Sequence, residues 1–299
     1  MNELKVCSYN IWFDNIMIKE RLESLLAKII LENPDVVCLQ EVRPEIYDII
    51  KNSLQNEYKY TFPKTINTNY SCVTLSKLPI SKYLIYPFKN SKMDRSLIIT
   101  KIDYPFINNN QNDQDNQDNQ DNQNNQDNQE NTTSIDKIEI VIVNTHFESI
   151  FSRKSKNIVK IDQYKETHKI MEQLVDDYKN VILCADTNIL NKEESEFIPT
   201  NKFNRKEKTY EIISDISSNA WNDSWKLLGN NNNKFTYDSN INPYLMIKKY
   251  KYRSRLDRII FKSNNLILID FRLLQEIKGF VEPSDHYGII GKFEIKSDE

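Results

Sequence analysis

Apolar residues in this chain fall in short runs, several of which stop abruptly at a polar group. Residues 4–8 lead into Tyr9-Asn10, residues 35–39 into Gln40-Glu41, and Val181-Ile182-Leu183-Cys184-Ala185 into Asp186-Thr187-Asn188. Runs of this length, bounded by polar residues, read as buried strands. Ligands of open α/β sheets bind beyond the carboxyl ends of strands, so these termini are where a site is expected.

Between the first two runs, Ile18, Leu22, Leu25, Leu26, Ile29 and Ile30 recur at helical spacing over residues 18–32, and Asn33-Pro34 ends the pattern. Strand, helix and strand in that order predict a crossover unit and an α/β layered core. A second helix is expected over 43–54, followed by strands over 58–62, 71–76, 83–88 and 95–103. Residues 137–143 form a further strand that ends in Asn144-Thr145-His146-Phe147-Glu148-Ser149. A helix over 157–177 follows, with His168 on its apolar stripe as a core histidine. Residues 289–295 close the chain as a strand, entered through Pro283-Ser284-Asp285-His286-Tyr287-Gly288.

Other stretches behave differently. Residues 108–134 are an Asn/Gln/Asp-rich repeat that cannot offset the entropy of ordering, and read as a disordered insertion in a surface loop. From Asn188 to Phe235 the chain is polar and irregular, and Trp221 and Trp225, four apart, are expected to form a packing face. Residues 248–261 alternate as one strand, with Lys249, Lys251, Arg253, Arg255 and Asp257 on one face and Tyr250, Tyr252 and Leu256 on the other. That face is either a lysine-guarded edge or a grip for nucleic acid.

Composition changes the picture in three respects. The formal charge of −3 includes six acids between residues 111 and 130, and without them the remainder is +3. Cys7, Cys38, Cys72 and Cys184 lie in apolar runs with no paired spacing, as buried small hydrophobes rather than disulfides or zinc ligands. The first strand begins almost at Met1, and no apolar run reaches membrane-spanning length, so the expectation is a soluble, intracellular protein.

The polar ends collect Asn10, Glu41, His146, Asp186, Asn188, Asp285 and His286. Oxygen ligands dominate, which suits a hard cation such as Mg²⁺, and an Asp-His pair at a strand entrance suits acid/base or charge-stabilising work. Ser8-Tyr9-Asn10, Leu39-Gln40-Glu41, Thr145-His146, Asp186-Thr187-Asn188 and Ser284-Asp285-His286 occur in the order found in the endonuclease/exonuclease/phosphatase (DNase I-like) superfamily, which the sequence resembles. Tyr252-Arg253-Ser254-Arg255-Leu256-Asp257-Arg258-Ile259 and the stretch from Pro283 to Gly288 resemble the branch that hydrolyses 5′-phosphotyrosyl-DNA links.

The resemblance implies one catalytic domain over 1–299, built as a four-layer α/β sandwich of two packed mixed β-sheets flanked by helices. It implies a Mg²⁺-dependent phosphodiesterase, with Mn²⁺ as the alternative ion, acting on DNA that carries 5′-tyrosyl adducts and leaving a 5′-phosphate. Glu41 is then the principal metal ligand, supported by Asp285, and Asp186 activates the attacking water. Asn10 and Asn188 orient phosphate and water, and His286, oriented by Asp257, stabilises the pentavalent phosphate. His146 and Ser149 hold the phosphate from the other side, and Lys249, Lys251, Arg253 and Arg255 bind the nucleic acid. A monomer with no membrane partner and no ubiquitin-binding region is expected. Ala185 replaces the family's usual glycine before the aspartate, and Leu190 replaces a basic residue, which bears on substrate preference. Other readings are an abasic-site or general nuclease, a phospholipid or inositol phosphate hydrolase, or a catalytically silent nucleic-acid-binding module.

Overall fold

The computed structural model describes residues 2–107, 135–149, 158–190, 195–197, 221–246, 252–274 and 276–297. The Asn/Gln/Asp-rich segment 108–134, Lys249 and Lys251 lie outside the described residues. In chain order the main elements are β1 (Glu3–Asn10), α1 (Ile18–Glu32), β2 (Val36–Val42), α2 (Pro44–Leu54), β3 (Tyr60–Phe62), β4 (Ser71–Ser76), β5 (Ile80–Pro87) and β6 (Ser96–Ile107). There follow β7 (Ile135–His146), α3 (Ile158–Tyr178), β8 (Asn180–Asp186), β9 (Ser195–Phe197), β10 (Asn222–Asp223), α4 (Ser224–Leu228), β11 (Tyr237–Asp238), β12 (Tyr252–Ser254), β13 (Asp257–Ser263), β14 (Leu266–Leu273) and β15 (Ile289–Ile295).

Two six-stranded mixed sheets result, in the orders β14-β15-β1-β2-β4-β3 and β10-β13-β8-β7-β6-β5. Each contains one parallel pair, β1/β2 and β7/β8, joined through α1 or α3. Side-chain alternation assigns the layers. Leu4, Val6, Val36, Cys38, Ile140, Ile142, Ile182, Cys184, Ile259 and Phe293 fill one core cluster between the sheets. The opposite parity, Cys7, Tyr9, Val37 and Leu39, packs with Leu22, Leu25 and Ile29 of α1 and with Ile46 and Ile50 of α2. Val141, Val143, Val181 and Leu183 pack likewise with Tyr164 and Met171 of α3. Helix, sheet, sheet and helix are therefore the four layers, and the four cysteines are buried and free. No helix among the described residues is long and apolar enough to cross a membrane.

Three local expectations differ. Trp221 and Trp225 do not share a face: Trp221 precedes β10 and packs in the α3-side layer, whereas Trp225 lies in α4 against the inter-sheet core. His168 is only partly buried, with Nε2 3.5 Å from Glu172 and its ring edge against Trp221. The expected continuous strand over 248–261 is interrupted between Ser254 and Asp257, because Thr236 Oγ1 accepts the backbone N–H groups of both Leu256 and Asp257 at 3.0 Å.

Candidate active site

The inward parity that carries apolar side chains through the core carries polar ones at its end. After Leu4 and Val6 come Ser8 and Asn10; after Ile140 and Ile142 come Asn144 and His146; after Ile182 and Cys184 comes Asp186. Register then aligns them across strands: His146 is paired with Asp186, Asp186 with Asp257, and Asn10 with Gln40. Gln40 Nε2 donates to Asn144 Oδ1 at 2.9 Å, joining the two sheets beneath the site.

Asp186, 1% exposed, is the hub. Its Oδ2 accepts from Asn10 Nδ2 at 2.8 Å, lies 3.1 Å from His146 Nε2 and stands 3.9 Å from His286 Nε2. Its Oδ1 accepts the backbone N–H of Asn188 at 3.0 Å. Burial by itself would raise its pKa, but the charges of His146 and His286 and the hydrogen bonds from His146 and Asn10 hold the carboxyl well below the ordinary carboxylate range. On the far side of His286, Nδ1 lies 2.9 Å from Asp257 Oδ2. Burial opposes charge on this imidazole, yet Asp257 and Asp186 outweigh it and hold its pKa well above the usual histidine value.

Two backbone departures aim further groups at the site. Glu41 has φ 61°, and the β2/β4 register shifts between Leu39 and Val42, so Val42 instead of Glu41 takes the next outward position. The Glu41 carboxylate accepts the Phe13 N–H at 3.0 Å through Oε2, and its Oε1 lies 3.7 Å from His146 Nδ1. Asn188 has φ 49°, with Nδ2 2.8 Å from His146 Nε2 and donating to Phe147 O at 3.1 Å. Left-handed backbone at non-glycine residues persists where surroundings over-determine it, and clusters at functional sites.

Sequence reasoning missed Arg95. It is 5% exposed, Nη1 lies 2.8 Å from His146 Nδ1, and its guanidinium lies 4.9 Å from the centre of the Tyr70 ring. Guanidinium has no lone pair to offer, so Arg95 presents only donors and positive charge to Nδ1, while Nε2 on the other side of the ring faces Asp186 and the Asn188 amide. The turn bearing Arg95 is held by Glu148, which accepts from Ser91 Oγ at 2.8 Å and Lys92 N at 2.9 Å, while Ser91 Oγ accepts from Arg95 N at 2.9 Å. Arg21 was also unanticipated: it is buried, donates to the carbonyls of Ile11, Trp12, Asp14, Ile16 and Pro283, and thereby ties the loop after Asn10 to the segment before Ser284. No periodicity marks either arginine.

The structure brings Asn10, Glu41, His146, Asp186, Asn188, Asp257 and His286 into one connected cluster. Asp285, buried, adjoins it through Ser284, whose hydroxyl donates to Asn10 O at 2.6 Å and accepts His286 N at 3.1 Å. Ser149 Oγ instead donates to Met93 Sδ at 3.4 Å. Arg255 is a correction to the expected basic face: it is 1% exposed, pairs with Asp223 at 2.8 Å and lies over the Trp225 ring, so its guanidinium is inside the protein. Arg253 is partly exposed and stacks over Phe235 at 4.4 Å. Leu190, where a basic residue was the alternative, fills a small apolar cluster with Tyr237, Leu245 and Leu256.

Asp186, Asp257 and His286 offer atoms within 4.8 Å of one another, the spacing a metal could use. Their contacts with each other and with Asn10 and His146 already occupy the facing atoms, which favours a hydrogen-bonded relay there. Glu41, which accepts the Phe13 N–H, and the buried Asp285 are further carboxylates bordering the cluster. Hard oxygen donors with no thiolate suit a hard divalent cation.

The sequence from residue 7 to residue 286 matches the model of the Endonuclease/Exonuclease/phosphatase family, and the chain belongs to that family. Within it, the chain is similar to tyrosyl-DNA phosphodiesterase 2 of Homo sapiens, 22% identical over 287 residues that cover 93% of this chain and 64% of the relative. The Xenopus tropicalis counterpart is likewise 22% identical, over 94% of this chain and 63% of that protein. The chain thus spans a little under two thirds of each relative's length. A truncated Caenorhabditis elegans tyrosyl-DNA phosphodiesterase 2 superposes with TM-score 0.70 at 21% identity, covering 97% of both chains. The D. rerio enzyme complexed with single-strand DNA product gives TM-score 0.70 at 18% identity, over 98% of this chain and 100% of that one. The human Nocturnin catalytic domain with bound sulfate gives 0.62 at 17% identity, over 99% and 95%. These superpositions establish the DNase I-like fold.

Proposed function

We propose that the chain is a Mg²⁺-dependent phosphodiesterase that hydrolyses 5′-phosphotyrosyl-DNA links and leaves a 5′-phosphate. The observation that carries this reading is Asp186, an ionised carboxylate held by Asn10, His146 and His286 where the polar ends of both sheets meet. The family membership and the similarity to tyrosyl-DNA phosphodiesterase 2 support the substrate class.

A phosphodiester repels nucleophiles, so catalysis needs positive charge and donors at its oxygens and a base for water. His286, protonated between two carboxylates, supplies charge, and Asp257 orients it. Asn10 aligns the Asp186 carboxylate, and Asn188 and His146 donate on the other side. Asp186 takes the proton of the attacking water. A bound phosphate offers the N–H groups of His146 and His286 a competing acceptor, which loosens the contacts that depress Asp186 and makes it more basic when the substrate is seated. Glu41 and Asp285 would hold Mg²⁺, or Mn²⁺ in its place, which supplies Lewis-acid charge at a phosphate oxygen. The leaving tyrosine phenolate has a pKa of about 10, so departure needs little general acid help.

Arg253, with Lys249 and Lys251 of the same segment, is proposed to follow the DNA backbone. In this reading residues 1–299 form one catalytic domain that acts as a monomer. The reading is tested by release of tyrosine from a 5′-tyrosyl oligonucleotide in Mg²⁺, compared with abasic duplex and phospholipid; preference for either of the latter would replace it with another activity of the same family.

A further inference from the structure

Lys160 is a lysine in an unfavourable place. It is fully buried, and it lies in the first turn of α3, where the helix dipole opposes positive charge. Burying a cation is costly unless it is well bonded. Its ammonium donates to the main-chain carbonyl of Asn188 at 2.7 Å.

That contact completes a clamp. Asp186 Oδ1 holds the Asn188 N–H at 3.0 Å, and Lys160 holds the carbonyl of the same residue, whose φ is 49°. With both backbone groups fixed, the side-chain amide is directed to His146 and to Phe147 O. One turn along the same helix, Gln163 accepts from Glu148 N at 2.8 Å, and Glu148 holds the turn that carries Arg95. The opening of α3 therefore braces both neighbours of His146, Asn188 directly and Arg95 through Glu148.

We propose that Lys160 is a positioning residue, setting the backbone of Asn188 and through it the orientation of the amide on the phosphate-binding side of the site. The proposal rests on the functional reading above only for its kinetic arm.

The test compares wild type, Lys160→Met, Lys160→Arg and Asn188→Ala, and the Lys160→Met/Asn188→Ala double variant, in hydrolysis of a 5′-tyrosyl oligonucleotide, together with a crystal structure of Lys160→Met. Misplacement of a positioned group by about 1 Å costs on the order of a hundredfold, so Lys160→Met is expected to lower kcat about tenfold to a hundredfold with KM within about threefold. Lys160→Arg, which retains a buried donor, recovers part of the loss. In the Asn188→Ala background Lys160→Met has no further effect on kcat, and in the crystal the Asn188 amide has left His146. Equal losses in both backgrounds, or a fall in thermal stability with kcat unchanged, would overturn the proposal. If wild type leaves the tyrosyl substrate intact, the functional reading fails by itself, and the crystal structure decides: an Asn188 amide still beside His146 in Lys160→Met overturns the positioning role.

Discussion

Asp186 and Asp257 face each other as register partners on β8 and β13, two buried carboxylates with the His286 imidazole set against both. Like charges opposite one another in a sheet repel, and burial aggravates the cost. The His286 imidazole offsets that repulsion, since the two carboxylates hold its pKa well above the ordinary histidine value against the opposing effect of burial.

His286 should accordingly remain protonated through neutral pH. Its folded pKa is raised, so the stabilisation from its charge is fully present below the unfolded value of about 6.5 and is lost as pH rises through the higher folded value. An imidazole titration by NMR should show no transition for His286 near pH 6.5, and the stability gap between wild type and His286→Gln should close only on the alkaline side. A titration midpoint at the ordinary histidine value would contradict the relay.

Arg95→Ala should lower kcat by about a hundredfold, since it removes both a buried charge at the site and the contact that holds the His146 ring at Nδ1. Steady-state kinetics on folded protein check this; unchanged kcat would mean that His146 is oriented without Arg95.

Arg255→Met should destabilise the fold by about 3 kcal/mol, because Asp223 loses a buried partner at 2.8 Å. The salt dependence of DNA binding should be unaffected, whereas Arg253→Ala should reduce its log-log slope by about 1. Binding isotherms across a salt series separate the two; a reduced slope for Arg255→Met would return that residue to the DNA surface.

Much of this site is legible in alternation alone. Once Leu4 and Val6, or Ile182 and Cys184, are assigned inward, period two delivers Asn10 and Asp186 to the same end of the core. The helix over residues 18–32 is likewise plain, because six apolar positions recur at its spacing and Asn33 caps it in a left-handed conformation. The hard-cation expectation followed from the oxygen-rich donor set, whereas the two-sheet sandwich and the choice of Glu41 and Asp285 as metal ligands came from motif resemblance, since pairing across strands distant in sequence is not encoded locally. What stayed hidden has physical reasons. β14 escaped notice because Leu266 and Leu268 are buried while Ile267 and Ile269, equally apolar, are exposed, so the run has no polar contrast. The charged parity of residues 248–261 read as one solvated face because nothing local announces that Thr236 interrupts the ladder and turns Arg255 inward against Asp223. Arg95 acquires its position from Glu148, more than fifty residues away in the chain.

Glu41→Gln should abolish Mg²⁺-dependent thermal stabilisation while leaving the metal-free melting temperature within a few degrees, because the amide oxygen can still accept the Phe13 N–H. Thermal melts over a Mg²⁺ series check this; an undiminished Mg²⁺ response would move the ion away from Glu41.

The most direct test of the central claim is conversion of a 5′-tyrosyl single-stranded oligonucleotide to its 5′-phosphate by wild type and Asp186→Asn, with Mg²⁺ and with chelator. The account predicts conversion by wild type in Mg²⁺ alone, and a loss of about three to four orders of magnitude in Asp186→Asn, in the range typical of removing a general base. Conversion that survives chelation or the Asp186 substitution, or no conversion by correctly folded wild type, would contradict it.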